Sequence, residues 1–135
     1  MKNVATLVPE TAVIEAVADP QYLFKAVNQF FAASGKEVFF KVQLVGLSEE
    51  VMLENCSFSV HTDKLLKEVK KVDLVLIPAL SGDMEQALAL NKKMVPWIVN
   101  QYNNGAEVAS LCIGAFLLAS TGLLNGKKCS THWNS

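Results

Sequence analysis

Apolar residues along this chain fall into two patterns, short unbroken runs and stripes at helical spacing, and their alternation predicts an α/β fold. Residues 4–8 are a continuous apolar run stopped by Pro9, the form of a strand buried on both faces. Asp19-Pro20 offers a cap and a first-turn proline for a helix that carries Tyr22, Leu23, Ala26, Val27, Phe30 and Phe31 until Gly35 stops it. Residues 37–47 are rich in Val and Phe and residues 52–61 alternate weakly, which predicts two or three strands of a small meander. A short surface helix is predicted over 64–71, and a buried strand over 72–77 that breaks at Pro78. The loop Ser81-Gly82-Asp83 opens a helical stretch over 84–102, divided at Pro96 and closed by Asn103-Asn104-Gly105. Residues 107–111 read as strand, and 127–131 as the opening of one more. Between them residues 114–124 are apolar all round, which places a helix inside the domain. Strands alternating with helices through short connections predict a parallel sheet covered on both faces, with ligands gathering at the carboxyl ends of the strands.

Composition narrows the picture. At 135 residues and 51% hydrophobic, the chain suits one domain spanning 1–135. Acidic and basic residues nearly cancel, 13 against 12, so this segment lacks the field that would hold nucleic acid or an anionic membrane surface. The amino end lacks a signal-type core and no apolar run reaches about 18 residues, which predicts a cytoplasmic protein without a membrane span. Three widely spaced cysteines, Cys56, Cys112 and Cys129, suit neither a disulfide framework nor a zinc site, and Cys56 and Cys129 read as packing residues. No phosphate-cradling glycine loop is present, so neither a metal nor a nucleotide cofactor is expected. The sequence stops at His132-Trp133-Asn134-Ser135 with no helix to cover its last strand, and the domain is expected to be truncated there.

Cys112 carries the most chemical information. Val108-Ala109-Ser110-Leu111 delivers it from a strand, and Ile113-Gly114-Ala115 carries the chain at once into a helix. A corner that sharp strains its central residue and needs a small neighbour such as Gly114, while the helix amino end points N–H groups and a positive dipole at the side chain. A thiol so placed is set up as a nucleophile or a redox sensor. The structural alternative is a small buried apolar residue, the usual fate of a free cysteine.

The stretch from Ser110 to Ala119, then Thr121-Gly122-Leu123-Leu124-Asn125-Gly126, then Thr131-His132-Trp133, resembles the ThiJ/PfpI superfamily of class I glutamine amidotransferase-like domains. Within it the chain resembles the GlxA-like branch, in which such a domain is the amino-terminal half of AraC-type transcription regulators and a helix-turn-helix pair follows. The resemblance implies a flavodoxin-like three-layer sandwich with a mostly parallel sheet, homodimers, and a cysteine, a histidine and an acidic residue near one another. Carried over by position, these fall on Cys112, on His132 as base or acid, and on Glu15. Taken without the resemblance, His132 reads as a surface or packing residue and Glu15 as a solvated loop charge. Family enzymes carry Pro-Gly-Gly after the fourth strand, where this chain has Pro78-Ala79-Leu80. A Cβ on Ala79 resists the close approach an oxyanion donor needs, and Leu80 stands where it could cover that donor.

The resemblance therefore implies first a sensing and dimerising domain of an AraC-family regulator. It would bind a small-molecule effector near Cys112, with Ala79, Leu80, Ile113 and Gly114 lining the site, and would reach DNA only through a downstream domain absent from this chain. The alternative is a cysteine-dependent enzyme of hydrolase, amidase or isonitrile hydratase type built on Cys112, His132 and Glu15.

Overall fold

The computed structural model describes residues 1–133. Its elements run β1 (Lys2–Val8), α1 (Ile14–Ala33), β2 (Phe40–Gly46), β3 (Glu50–Leu53), β4 (Phe58–His61), β5 (Lys64–Leu65), β6 (Leu74–Ile77), α2 (Met84–Leu90), α3 (Met94–Asn103), β7 (Glu107–Ser110) and α4 (Ala115–Ser120). Short 3-10 turns at Leu66–Glu68 and Cys112–Gly114 complete the path. One sheet ordered β5-β2-β1-β6-β7 is parallel throughout, while β3 and β4 form a separate antiparallel hairpin.

Alternation along the strands divides the core between the two faces of the sheet. On one face Ala5, Leu7, Val45, Val75 and Ile77 pack against Ala87, Met94, Ile98, Leu117 and Leu118 from α2, α3 and α4. On the other, Val8 packs with Val17 of α1 and with Val51, Leu53 and Val60 of the hairpin. The result is the expected three-layer, flavodoxin-like sandwich, whose parallel strands are joined by crossovers on both faces.

Several local expectations give way to tertiary contacts. Helix α1 starts at Ile14, upstream of the expected Asp19-Pro20 cap, and Pro20 lies inside it. Its first turn is anchored from outside: the Val13 N–H donates to the Ala79 carbonyl at 2.8 Å, and the Ile14 N–H to the Glu54 carboxylate at 3.3 Å. A carboxylate at a helix amino end is also stabilised by the macrodipole. The α2–α3 break falls at residues 91–93 and not at Pro96, which sits in the first turn of α3, where a missing N–H costs nothing. Residues 40–46 join the main sheet parallel to β1 and are no part of a meander. Residues 64–71 hold β5 and a 3-10 turn in place of a helix. Residues 127–131 form no strand, and α4 ends at Ser120 with Phe116 37% exposed, so the helix expected to be buried all round has a wet face.

Two buried amides tie the layers together. The Asn91 side chain donates to the Glu10 and Ala87 carbonyls at 2.9 and 2.8 Å and accepts from the Glu10 N–H at 2.8 Å, fastening α2 to the loop after β1. Gln101, 1% exposed, accepts from the Val72 N–H at 3.0 Å and donates to the Lys70 carbonyl at 3.2 Å, fastening α3 to the segment that enters β6. Buried backbone groups stripped of such partners carry their full desolvation cost. Replacement Gln101→Leu, which keeps the bulk and removes both bonds, is expected to lower unfolding stability by about 2 kcal/mol. Urea denaturation checks this, and an unchanged midpoint would contradict it.

Candidate functional site

The strand-to-helix corner is built from backbone contacts. Beyond β7 the ladder continues one step further, the Leu111 N–H donating to the Ile77 carbonyl at 2.9 Å. Cys112 then adopts φ +51, a left-handed conformation that costs a residue bearing a Cβ about 1–2 kcal/mol. The chain turns through Cys112–Gly114 directly into α4. At Gly114 a Cβ would lie 2.4 Å from the Pro78 carbonyl oxygen and 2.7 Å from that of Ile77, so only glycine lets the helix start against the end of β6. The consequence for the thiol is exposure. Cys112 is exposed at the carboxyl edge of the sheet, and the buried-apolar alternative does not describe it.

The carboxyl-terminal segment returns to this corner. The Thr131 hydroxyl donates to the Cys112 carbonyl at 3.1 Å, which brings the backbone beside His132 onto the elbow. His132 is half-buried and stacks on Trp133, with ring centroids 5.6 Å apart. Nothing near Thr131 in the sequence marks it beyond its place in the Thr-His-Trp run, and its hydrogen bond to residue 112 is not written in any local pattern. A cavity of about 160 Å³ opens next to the corner, between Ala115, Phe116 and Ala119 of α4, Leu124, and residues 129–131.

The other candidates sit at the same edge of the sheet in different settings. Glu15 is exposed in the first turn of α1, on a helix and not in a loop, two residues beyond the Val13–Ala79 contact. Ala79 and Leu80 are 8% and 2% exposed. Leu80 packs in the core beneath α2, α3 and α4, and its bridge to Ala12 holds the turn in place, so its side chain does not lie across the elbow. Ile113 is half-buried and Gly114 buried. Cys56 and Cys129, expected to pack, are both exposed; Cys56 occupies a tight turn in which Glu54, Asn55 and Cys56 all have positive φ. Among the described residues no grouping of three or more His, Cys, Asp or Glu side chains could hold a metal ion, and no helix is long and apolar enough to cross a membrane.

Comparison with known proteins fits this geometry. The chain is 30% identical over 84 residues to the HTH-type transcriptional regulator CdhR of Pseudomonas aeruginosa, an alignment covering 62% of this chain and 24% of that protein. It is 27% identical over 99 residues to the deglycase PfpI of Pyrococcus furiosus, covering 72% of this chain and 58% of that one. It thus spans about a quarter of the first relative and less than two thirds of the second. The crystal structure of an AraC family transcriptional regulator from Pseudomonas putida superposes with a TM-score of 0.72 at 15% identity, covering 99% of this chain and 68% of that one, a likeness of fold. The DJ-1/PfpI family pattern matches residues 16–135, a span that begins just after Glu15 and takes in Cys112 and His132. The chain belongs to the DJ-1/PfpI family.

Proposed function

We propose that this chain is the amino-terminal sensing and dimerising domain of an AraC-family transcription regulator, with a small-molecule effector bound beside Cys112. The observation that carries the reading is the exposed thiol on a strained corner, with the Thr131–His132 segment hydrogen-bonded onto it and an apolar cavity alongside. A small ligand held there would touch α4 and the terminal segment together. Its binding would therefore bear on whatever follows the domain, which is what a sensor requires. The similarity to a regulator that is about four times the length of the aligned segment supports a downstream DNA-binding domain. The near-neutral charge of this segment is consistent with DNA contact through that domain.

Dimerisation is supported by α1. The helix turns Phe24 and Asn28 inward, Phe24 against Phe40 at 4.7 Å between centroids and Asn28 to the Phe40 backbone at 2.7 and 3.0 Å. Its apolar residues Tyr22, Leu23 and Phe30 are 72%, 62% and 71% exposed, a stripe at helical spacing with no cover among the described residues. A second copy presenting the same stripe would bury both.

A second reading keeps the same residues as a cysteine-dependent enzyme, hydrolase, amidase or isonitrile hydratase in type, with His132 as acid or base and Glu15 assisting. The exposed thiol and the similarity to a deglycase favour it. Against it stands the Pro78-Ala79-Leu80 turn, in which a Cβ occupies the place family enzymes leave to glycine.

Reading the gene beyond codon 135 separates the two. The regulator reading expects the frame to continue into a basic helix-turn-helix pair, and a stop soon after one further strand and helix would overturn it in favour of the enzyme. The α1 surface is checked by sedimentation: the wild-type chain is expected to run as a dimer and the double variant Leu23→Glu, Phe30→Glu as a monomer with unchanged circular dichroism. A dimer that survives both charges would contradict this interface.

A further inference from the structure

A second cleft lies at the opposite edge of the sheet from the elbow, where β2 and β5 end; β1 and β6 separate the two places. Its volume is about 380 Å³, and its walls are Leu47, Leu65, Leu66, Pro96 and Trp97. Lys67 and Lys93, both exposed, stand at its mouth from the 3-10 turn and from the residue that precedes α3. No acidic side chain is among its lining residues. The neighbouring acid, Glu68, turns its carboxylate back to accept from the Leu65 N–H at 2.8 Å. The Trp97 indole N–H donates to the Val69 carbonyl at 3.4 Å, which fixes the ring between α3 and the 66–69 segment. The start of α3 adds little for an anion: the Met94 and Val95 N–H groups donate to the Asn91 and Lys92 carbonyls at 2.9 and 3.2 Å, and Pro96 has none. Recognition of charge falls to the two lysines.

We propose that this cleft binds a small apolar carboxylate, an aromatic or branched aliphatic acid whose hydrocarbon body lies on Leu47, Leu66 and Trp97 and whose anion is shared by Lys67 and Lys93. Apolar burial supplies most of the affinity, while the ammonium pair selects acids over neutral analogues of the same shape. The site is independent of Cys112. It would be a second ligand site in the domain whether the elbow senses or catalyses.

The test follows the indole N–H of Trp97 by proton–nitrogen correlation in the full 135-residue chain, whose only other tryptophan is Trp133. The probe is 2-naphthoate, with 2-naphthamide as the neutral match. The acid is expected to shift the Trp97 signal saturably and to bind about fivefold tighter than the amide. The variant Lys67→Gln, Lys93→Gln should weaken it about tenfold and should leave the amide unaffected. Equal binding of acid and amide, an unchanged affinity in the double variant, or naphthoate shifts confined to the Cys112 corner would each overturn the proposal.

Discussion

The corner of this protein rests on a missing carbon atom. Gly114 meets the carbonyl oxygens of Ile77 and Pro78 so closely that any side chain would have to displace the end of β6. That approach sets where α4 starts, and with only two residues between the last ladder bond at Leu111 and Gly114, the chain must reverse within Cys112 and Ile113. A left-handed Cys112 is what makes the reversal fit. The energy of the strained residue is carried by the packing of Leu117 and Leu118 into the core shared with Ile77 and Leu80. Strain of this kind persists only where surrounding structure over-determines the conformation.

Other contacts at the carboxyl edge hold the neighbouring strands to this corner. The Ala79 carbonyl anchors the start of α1 through Val13, and the Ser81 N–H returns to the Thr11 carbonyl at 2.8 Å. Asn91 clamps the loop after β1 to α2. The edge is therefore a set of cross-linked turns rather than free loops, and a ligand beside Cys112 would find its surroundings already in place. Residues 129–131 meet the corner through the Thr131 hydroxyl, which donates to the Cys112 carbonyl.

Much of this was legible in the amino-acid order. The buried runs of β1 and β6, the strand before Cys112 and the alternation of strand and helix follow from local hydrophobic patterning, and the small residue at 114 follows from the sharpness of the turn. What stayed hidden was set by partners distant in sequence. The start of α1 depends on Ala79 and Glu54, and neither marks the sequence near Ile14. The parallel pairing of β2 with β1 leaves no trace in an alternating strand, since alternation carries no direction. The outward stripe of Tyr22, Leu23 and Phe30 looks the same in sequence as one facing a core. The bond from Thr131 to Cys112 joins residues 19 apart by a contact that only the folded corner creates.

The backbone at residue 112 is open to one direct measurement, the unfolding free energy of Cys112→Gly set beside that of Cys112→Ala. Both remove the thiol, and they differ in the backbone conformations they allow. In ordinary helical or extended geometry glycine is the less stable of the two by about 0.5–1 kcal/mol. A left-handed residue 112 reverses the order, making the glycine protein the more stable by about 1 kcal/mol. An alanine protein more stable than the glycine one would mean that no strained corner presents the sulfur.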